Sequence, residues 1–247
     1  MQPHEEEFFT RQYELDTHHL LRVQCLCNYM EEAAGNHAER LGAGLPRLLE
    51  DNLAWVLAKM RLVIHRRPGP GETIRVSTWP VCMERVQFRR DFIVHDAAGR
   101  ALAAAVTQWV VMGTLSRRLE RFPMYIAAMQ PENPPLALES GDIRVPVCPQ
   151  EADAGPVFPV RMADIDQNRH VNNGRYIDFA LEAADCAGAR GELGQLDVIF
   201  RAEGVRGDAI AVKTAREAGD GQCFIHSLVR AGDEHELARV RTIFHGS

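Results

Sequence analysis

The sequence predicts an α+β protein built from two repeats, each a long helix wrapped by its own antiparallel sheet. Three observations point there. A helical apolar period followed by four runs rich in Val, Ile and Phe occurs twice in the 247 residues. The two occurrences can be laid over one another, residue on residue. Between them, residues 122–159 hold eight of the 13 prolines, a density that excludes helix interiors and central strands.

In the first repeat, Leu26, Met30, Ala33, His37 and Leu41 recur at helical spacing, and Gly42 follows as a stop signal. Strand-like runs come next at 54–65, 73–79, 86–95 and 102–112. The second repeat begins with Tyr176, Ile177, Ala180, Leu181 and Ala184 on one helical face, with Asn172 and Asn173 as caps and Gly188 near the end. Its strand-like runs lie at 196–201, 209–215, 224–230 and 237–244. A helix followed by antiparallel strands buries its apolar stripe against the concave face of its own sheet. The expected organisation is therefore a first repeat over 1–122, a Pro-rich connector over 123–159 and a second repeat over 160–247.

Superposition of the halves supports duplication, because the offset changes by one loop-sized step, from 150 to 136, and then by a single residue, to 135. Leu15-Asp16 falls on Ile165-Asp166 and Glu32-Ala33-Ala34 on Glu182-Ala183-Ala184. Farther along, Gly71-Glu72-Thr73-Ile74 falls on Gly207-Asp208-Ala209-Ile210, and Thr107 and Trp109 fall on Thr242 and Phe244.

Composition narrows the function classes. The chain is 46% hydrophobic and 25% charged, which excludes disorder, collagen and a small disulfide scaffold. A net charge of −6 lacks the cationic excess that nucleic-acid binding requires. The six cysteines form no C-x-x-C pair and no zinc spacing, so we expect reduced, buried thiols and no metal. His4 to Phe9 is acidic where a secretion signal is basic, and the most apolar stretch, 101–112, is too short to cross a bilayer. The expected compartment is the cytoplasm.

The densest polar cluster, Asp164 to Asn173, stands immediately before the second helix. Asp and Asn are ordinary residues of turns and caps, and Asp164 is read that way. Comparison with the first repeat singles out the others. That copy keeps Asp16 but has His18 at the place of Asn168 and Leu20 at the place of His170, so a polar set is confined to the second copy. The following helix start, at Asn173 and Gly174, offers unpaired N–H groups and positive potential to a developing oxyanion, and Gly174 lets a carbonyl approach the backbone.

On these residues the chain resembles the acyl-ACP thioesterases of plants and bacteria, tandem hotdog proteins. The second half carries their D-x-D-x-N-x-H-V-N-N-x-x-Y motif as Asp164, Asp166, Asn168, His170, Val171, Asn172, Asn173 and Tyr176. The first half is similar in Trp55-Val56-Leu57, Thr78-Trp79-Pro80, Phe88-Arg89-Arg90-Asp91-Phe92, and Trp109 to Met112 leading to Arg117-Arg118. The resemblance implies a tandem hotdog, catalysis by Asp166, Asn168, His170 and a Glu on the next strand, matched by Glu203, and no cofactor. Alone, Glu203 reads as a solvated strand-end carboxylate. Gly204 stands where plant members have Cys, and Leu119 follows the arginine pair where the family has Pro.

The expected activity is hydrolysis of fatty acyl-acyl carrier protein by activated water, with Glu203 as the favoured base and Asp166 as the other candidate, Asn168 and His170 holding water or carbonyl, and Asp166 otherwise orienting one of them. Direct attack by the Asp166 or Glu203 carboxylate, through a mixed anhydride, is the competing route. Coenzyme A in place of the carrier protein, and a non-catalytic acyl-thioester sensor, are the alternatives. The first repeat shapes the acyl pocket, with Trp55 among candidate lining residues and core packing as its competing role. Arg85, Arg89, Arg90, Arg117, Arg118 and Arg121 read either as a solvated strand face or as a local positive surface for the acidic carrier. Monomer and homodimer are both open, because a double hotdog supplies internally the pairing that single hotdogs obtain by dimerising. No G-x-S-x-G elbow, dinucleotide fingerprint or phosphate loop occurs.

Overall fold

Both predicted helices and all eight predicted strands form in the computed structural model, which describes residues 3–139, 141–149, 151–217 and 222–246. Two units divide the chain, Met1–Gly141 and Asp142–Ser247. The first contains β1 (His4–Phe9), α1 (Val23–Arg40), α2 (Leu45–Glu50), β2 (Leu53–Ile64), β3 (Thr73–Glu84), β4 (Gln87–Asp96), β5 (Ala101–Gly113) and α3 (Met124–Ala127). Its strands are antiparallel in the order β1-β3-β4-β5-β2. On α1, Val23, Leu26, Met30, Ala33, Ala34 and His37 form the buried stripe, which packs on β1 and β3.

The second unit repeats this plan with β6 (Asp153–Pro159), α4 (Asn173–Cys186), β7 (Glu192–Phe200), β8 (Ala209–Arg216), β9 (Cys223–Arg230) and β10 (Glu236–His245). The order β6-β8-β9-β10-β7 matches the first unit strand for strand. Side chains repeat as well as backbone. Phe8 stacks on Tyr29 at 4.5 Å and 13°, and Phe158 stacks on Phe179 at 4.5 Å and 16°. Each long helix ends before a glycine with positive φ, 73° at Gly42 and 84° at Gly188, a conformation in which a Cβ would be strained.

Among the described residues, two strands and two short α-helices were not anticipated, and each has a physical reason. Edge strands β1 and β6 pair on one side only, so acidic residues in one and Pro156 and Pro159 in the other are tolerated. The helices α2 and α3 are too short to generate an apolar period, and they close a cluster of Ala43, Leu48, Phe88, Val111, Ile126 and Met129. Phe88 is 2% exposed there, so its truncation to Ala would cost about 3–5 kcal/mol.

The stretch expected as connector over 123–159 thus carries α3 and β6. On the first unit it is tied down by Trp79 Nε1 donating to Pro135 O (2.8 Å), the Ala137 N–H to Asp91 Oδ2 (2.9 Å) and Gln108 Nε2 to Gly141 O (2.8 Å). On the second, Ile143 and Val145 are buried. The expectation of buried thiols holds for Cys27 and Cys223 but fails for Cys186, which is exposed at the last turn of α4. Among the described residues no helix is long and apolar enough to cross a membrane.

Candidate active site

The loop before α4 is organised by one carboxylate. Asp166 Oδ1 accepts from the N–H groups of Asn168 (2.8 Å) and His170 (3.3 Å), and the Asp166 N–H donates to His170 O at 2.9 Å. Arg169 lies between them in the left-handed region at φ 66°. The first repeat builds the same loop: Asp16 Oδ1 accepts from His18 and Leu20 at 2.8 and 3.1 Å, and His19 has φ 60°. Shared geometry in the copy without His170 identifies this oxygen as the loop's organiser. Asp166 therefore fixes the backbone from which the Asn168 and His170 side chains project.

Asp164 serves the structure in the way its sequence position suggests. It is 1% exposed and accepts from the Arg161 N–H (2.8 Å), the Arg161 guanidinium (3.0 and 3.1 Å) and Arg175 (2.7 and 2.8 Å). Burial pushes its carboxyl upward, but the hydrogen bonds from Arg161 and Arg175 hold it below its usual value.

The loop sets His170 against Glu203, with Nε2 and Oε2 3.2 Å apart. Their side chains are 27% and 36% exposed, so the pair is open to a substrate yet partly desolvated. Glu203 lies three residues past the end of β7 rather than on a strand. A mesh of hydrogen bonds holds it there: the Val171 N–H donates to Gly204 O (2.9 Å) and the Gly204 N–H donates to the buried Tyr176 hydroxyl (2.8 Å).

The first repeat has a different pair in the same two places. Leu21 N–H donates to Pro68 O at 2.8 Å, as Val171 does to Gly204, so Arg67 occupies the position of Glu203 and Leu20 that of His170. Arg67 pairs with Asp16 Oδ2. Burial pushes the Asp16 carboxyl up, and Arg67 together with the loop N–H groups brings it below its ordinary value. One copy therefore closes its loop with an ion pair, and the other presents an imidazole and a carboxylate. The alignment that put Gly71-Glu72 on Gly207-Asp208 already carried Arg67 onto Glu203, a signal readable in the sequence.

Several expected site residues sit differently. The Gly174 N–H donates to Asn172 Oδ1 (2.9 Å), so the N-cap occupies the donor expected to face a substrate oxygen. Asn173 opens α4 and is half-buried. A Cβ on Gly204 would lie 2.9 Å from the Tyr176 hydroxyl and 3.1 Å from Val171 Cγ2, so any side chain here would force that hydroxyl to shift. Trp55 donates Nε1 to Ala43 O (2.9 Å) and packs near Phe88 and Phe122, at ring distances of 5.5 and 6.0 Å, within the core cluster.

Arg89 and Arg90 do not form a solvent-facing positive surface. Arg89 bonds Asp91 through two nitrogens (2.7 and 2.8 Å) and Leu138 O (2.9 Å). Arg90 is 4% exposed, with Nη1 3.0 Å from His37 Nδ1 and 3.2 Å from Thr78 Oγ1, and burial lowers its pKa to about 10. Arg85, Arg117, Arg118 and Arg121 are exposed. The register of β4 against β5 brings Arg85, in the β3–β4 turn, to the sheet end where β5 runs out toward Arg117 and Arg118. Among the described residues, no group of three or more His, Cys, Asp or Glu is arranged to hold a metal ion.

Comparison with known proteins covers nearly the whole chain. Residues 2–129 match the model of the acyl-ACP thioesterase N-terminal domain, and residues 149–246 that of the C-terminal domain. The chloroplastic palmitoyl-acyl carrier protein thioesterase of Arabidopsis thaliana is 29% identical over 96% of this chain, and that of Cuphea hookeriana is 30% identical over 96%. The chain spans 62% and 61% of the length of those relatives. The solved 12:0-ACP thioesterase from Umbellularia californica superposes with a TM-score of 0.84 at 24% identity, covering 98% of this chain and 97% of that one. That likeness establishes the α+β hotdog fold expected from the sequence.

Proposed function

The chain belongs to the acyl-ACP thioesterase family, and from that premise we propose that it hydrolyses the thioester between a fatty acyl chain and acyl carrier protein, releasing free fatty acid and the carrier's thiol. The observation that carries this reading is the His170–Glu203 contact of 3.2 Å, in a loop whose duplicate holds Leu20 and Arg67 instead. Glu203 takes a proton from water as the water oxygen bonds to the thioester carbon. His170 fixes the direction of that carboxylate, and the exposed Asn168 joins it in holding the water. The carbonyl electrons move onto oxygen, where the positive potential at the start of α4 stabilises them. They return as the carbon–sulfur bond breaks, and the proton held by Glu203 passes to the departing sulfur. A thiol leaves readily, since its pKa of about 8.5 demands little acid assistance.

Asp166 is the weaker candidate for base because its Oδ1 is committed to the loop, as in Asp16. A cysteine nucleophile at this position is excluded because residue 204 is glycine. The carrier is read by the exposed Arg85, Arg117, Arg118 and Arg121, and the first unit shapes the acyl pocket. Cytoplasmic residence is part of this proposal, supported by cysteines that form no disulfide among the described residues.

The test is a substrate panel of equal acyl lengths on acyl carrier protein and on coenzyme A, followed by release of free thiol. Faster turnover of the carrier-bound series supports the proposal. Preference for coenzyme A replaces the carrier, and binding without thiol release replaces the enzyme by a sensor.

A further inference from the structure

The geometry points to Arg230 as the positioning residue that holds Glu203 in reach of His170, an inference that rests on the hydrolytic reading of this site. Arg230 ends β9, where it pairs with Ile210 of β8 and its N–H donates to His235 O at 2.9 Å. Its guanidinium reaches three oxygens. Nη2 donates to the main-chain oxygen of Glu203 (3.2 Å), Nε to Asp208 Oδ2 (3.2 Å) and Nη1 to Asp233 Oδ2 (2.9 Å). Asp208 Oδ2 in turn accepts the Val205 N–H at 3.0 Å.

The main chain is thereby fixed on both sides of Glu203 and at Glu203 itself. Ala202 N–H donates to Leu237 O (3.1 Å), Gly204 N–H donates to Tyr176 (2.8 Å), and the carbonyl between them is held by Arg230. Only the Glu203 side-chain torsions are left to aim its carboxylate.

The first repeat shows what is particular to this clasp. There the main-chain oxygen of Arg67 and the carboxylate of Glu72 take the places of Glu203 O and Asp208, and both are served by Arg66, at 3.5 Å and at 2.7 and 2.8 Å. Arg66 belongs to the loop itself, and its counterpart in the second repeat is Ala202. The strand position matching Arg230 is Asp96, because Ile74 faces Asp96 as Ile210 faces Arg230. Arg66 lies 3.8 Å from that Asp96. The cation has thus changed sides between copies. Arg66 reaches only the carbonyl of the residue that follows it in the chain, whereas Arg230 reaches the Glu203 carbonyl from a separate strand in the β8–β9 ladder and so references it to the sheet. A base must be held to a fraction of an ångström, so the rigid anchor sits in the copy that carries the dyad.

The experiment compares Arg230→Ala and Arg230→Gln with Arg66→Ala in steady-state hydrolysis of a fatty acyl-carrier thioester, with the Arg230 changes repeated on Glu203→Gln. We expect each Arg230 variant to lower kcat by roughly tenfold or more while KM stays within about threefold, and to lower the residual rate of Glu203→Gln no further. Arg66→Ala, which removes the equivalent clasp, should leave kcat within about twofold. The inference is overturned if the Arg230 variants keep wild-type kcat, if their fractional loss is the same with and without Glu203, or if Arg66→Ala loses as much. Full activity of Glu203→Gln would instead strike Glu203 as the base, and absence of thiol release by the wild type would strike the hydrolytic reading, so the failures are separable.

Discussion

Acidification should destabilise this protein through a histidine that has no part in catalysis. His226 on β9 is fully buried, with Nδ1 3.0 Å from Thr214 Oγ1 and Nε2 3.0 Å from Thr242 Oγ1. Both partners are neutral hydroxyls, and burial lowers its pKa from 6.5 to about 3. Because the folded value lies below the unfolded one, the unfolded chain binds the proton first. The stabilising contribution is complete above the unfolded pKa and is lost as pH falls from there toward 3. Between about pH 8 and pH 5 the loss amounts to about 2 kcal/mol, a figure set by the unfolded pKa once the folded one lies well below 5. His37, lowered to about 3 by burial and then by Arg90, His4 and Arg40, adds a loss of the same sign. The assay is denaturant unfolding at both pH values for wild type and His226→Gln, which retains an amide donor and acceptor for the two threonines. Wild type should lose about 2 kcal/mol more than the variant over this interval. Identical pH dependence would refute the reasoning.

At the site, His170→Ala and Asn168→Ala should each lower turnover by roughly a hundredfold with the thermal transition unchanged, and near-wild-type rates would remove that residue from the mechanism. Reversing Arg117 and Arg118 to Glu should raise KM for the carrier-bound substrate by about tenfold, with a strong salt dependence, and leave a small acyl thioester unaffected; equal effects on both would mean a pocket or folding role. Gly204→Ala should destabilise the protein by about 1–3 kcal/mol by crowding the Tyr176 hydroxyl, measured as a fall in the denaturant midpoint, and an unchanged midpoint would show that the loop has slack.

Much of the fold was legible because its helices and inner strands bury continuous apolar patterns, and duplication supplied a second reading of each. The outer strands were not, since an edge strand such as His4–Phe9 pairs on one side and exposes its acidic residues. At the site, the confinement of Asn168 and His170 to one copy was visible directly. Glu203 was reached only through family resemblance, because a lone carboxylate after a strand carries no local signal. Arg89 and Arg90 were misread for a geometric reason. Adjacent strand residues point to opposite faces, and both faces of β4 are covered here, one by α1 through His37 and the other by residues 137–138. Gly174 was misjudged because Asn172, read correctly as a cap, satisfies the very N–H assigned to the oxyanion.

The central claim is that Glu203 accepts the proton of the attacking water, and the most direct measurement is the rate of free-thiol release from fatty acyl-acyl carrier protein by Glu203→Gln. Glutamine keeps the length of the side chain and an oxygen for His170 Nε2 but cannot take a proton. The account predicts a kcat lower by about a hundredfold to ten-thousandfold with KM little changed. A variant that hydrolyses the thioester at close to the wild-type rate would contradict it.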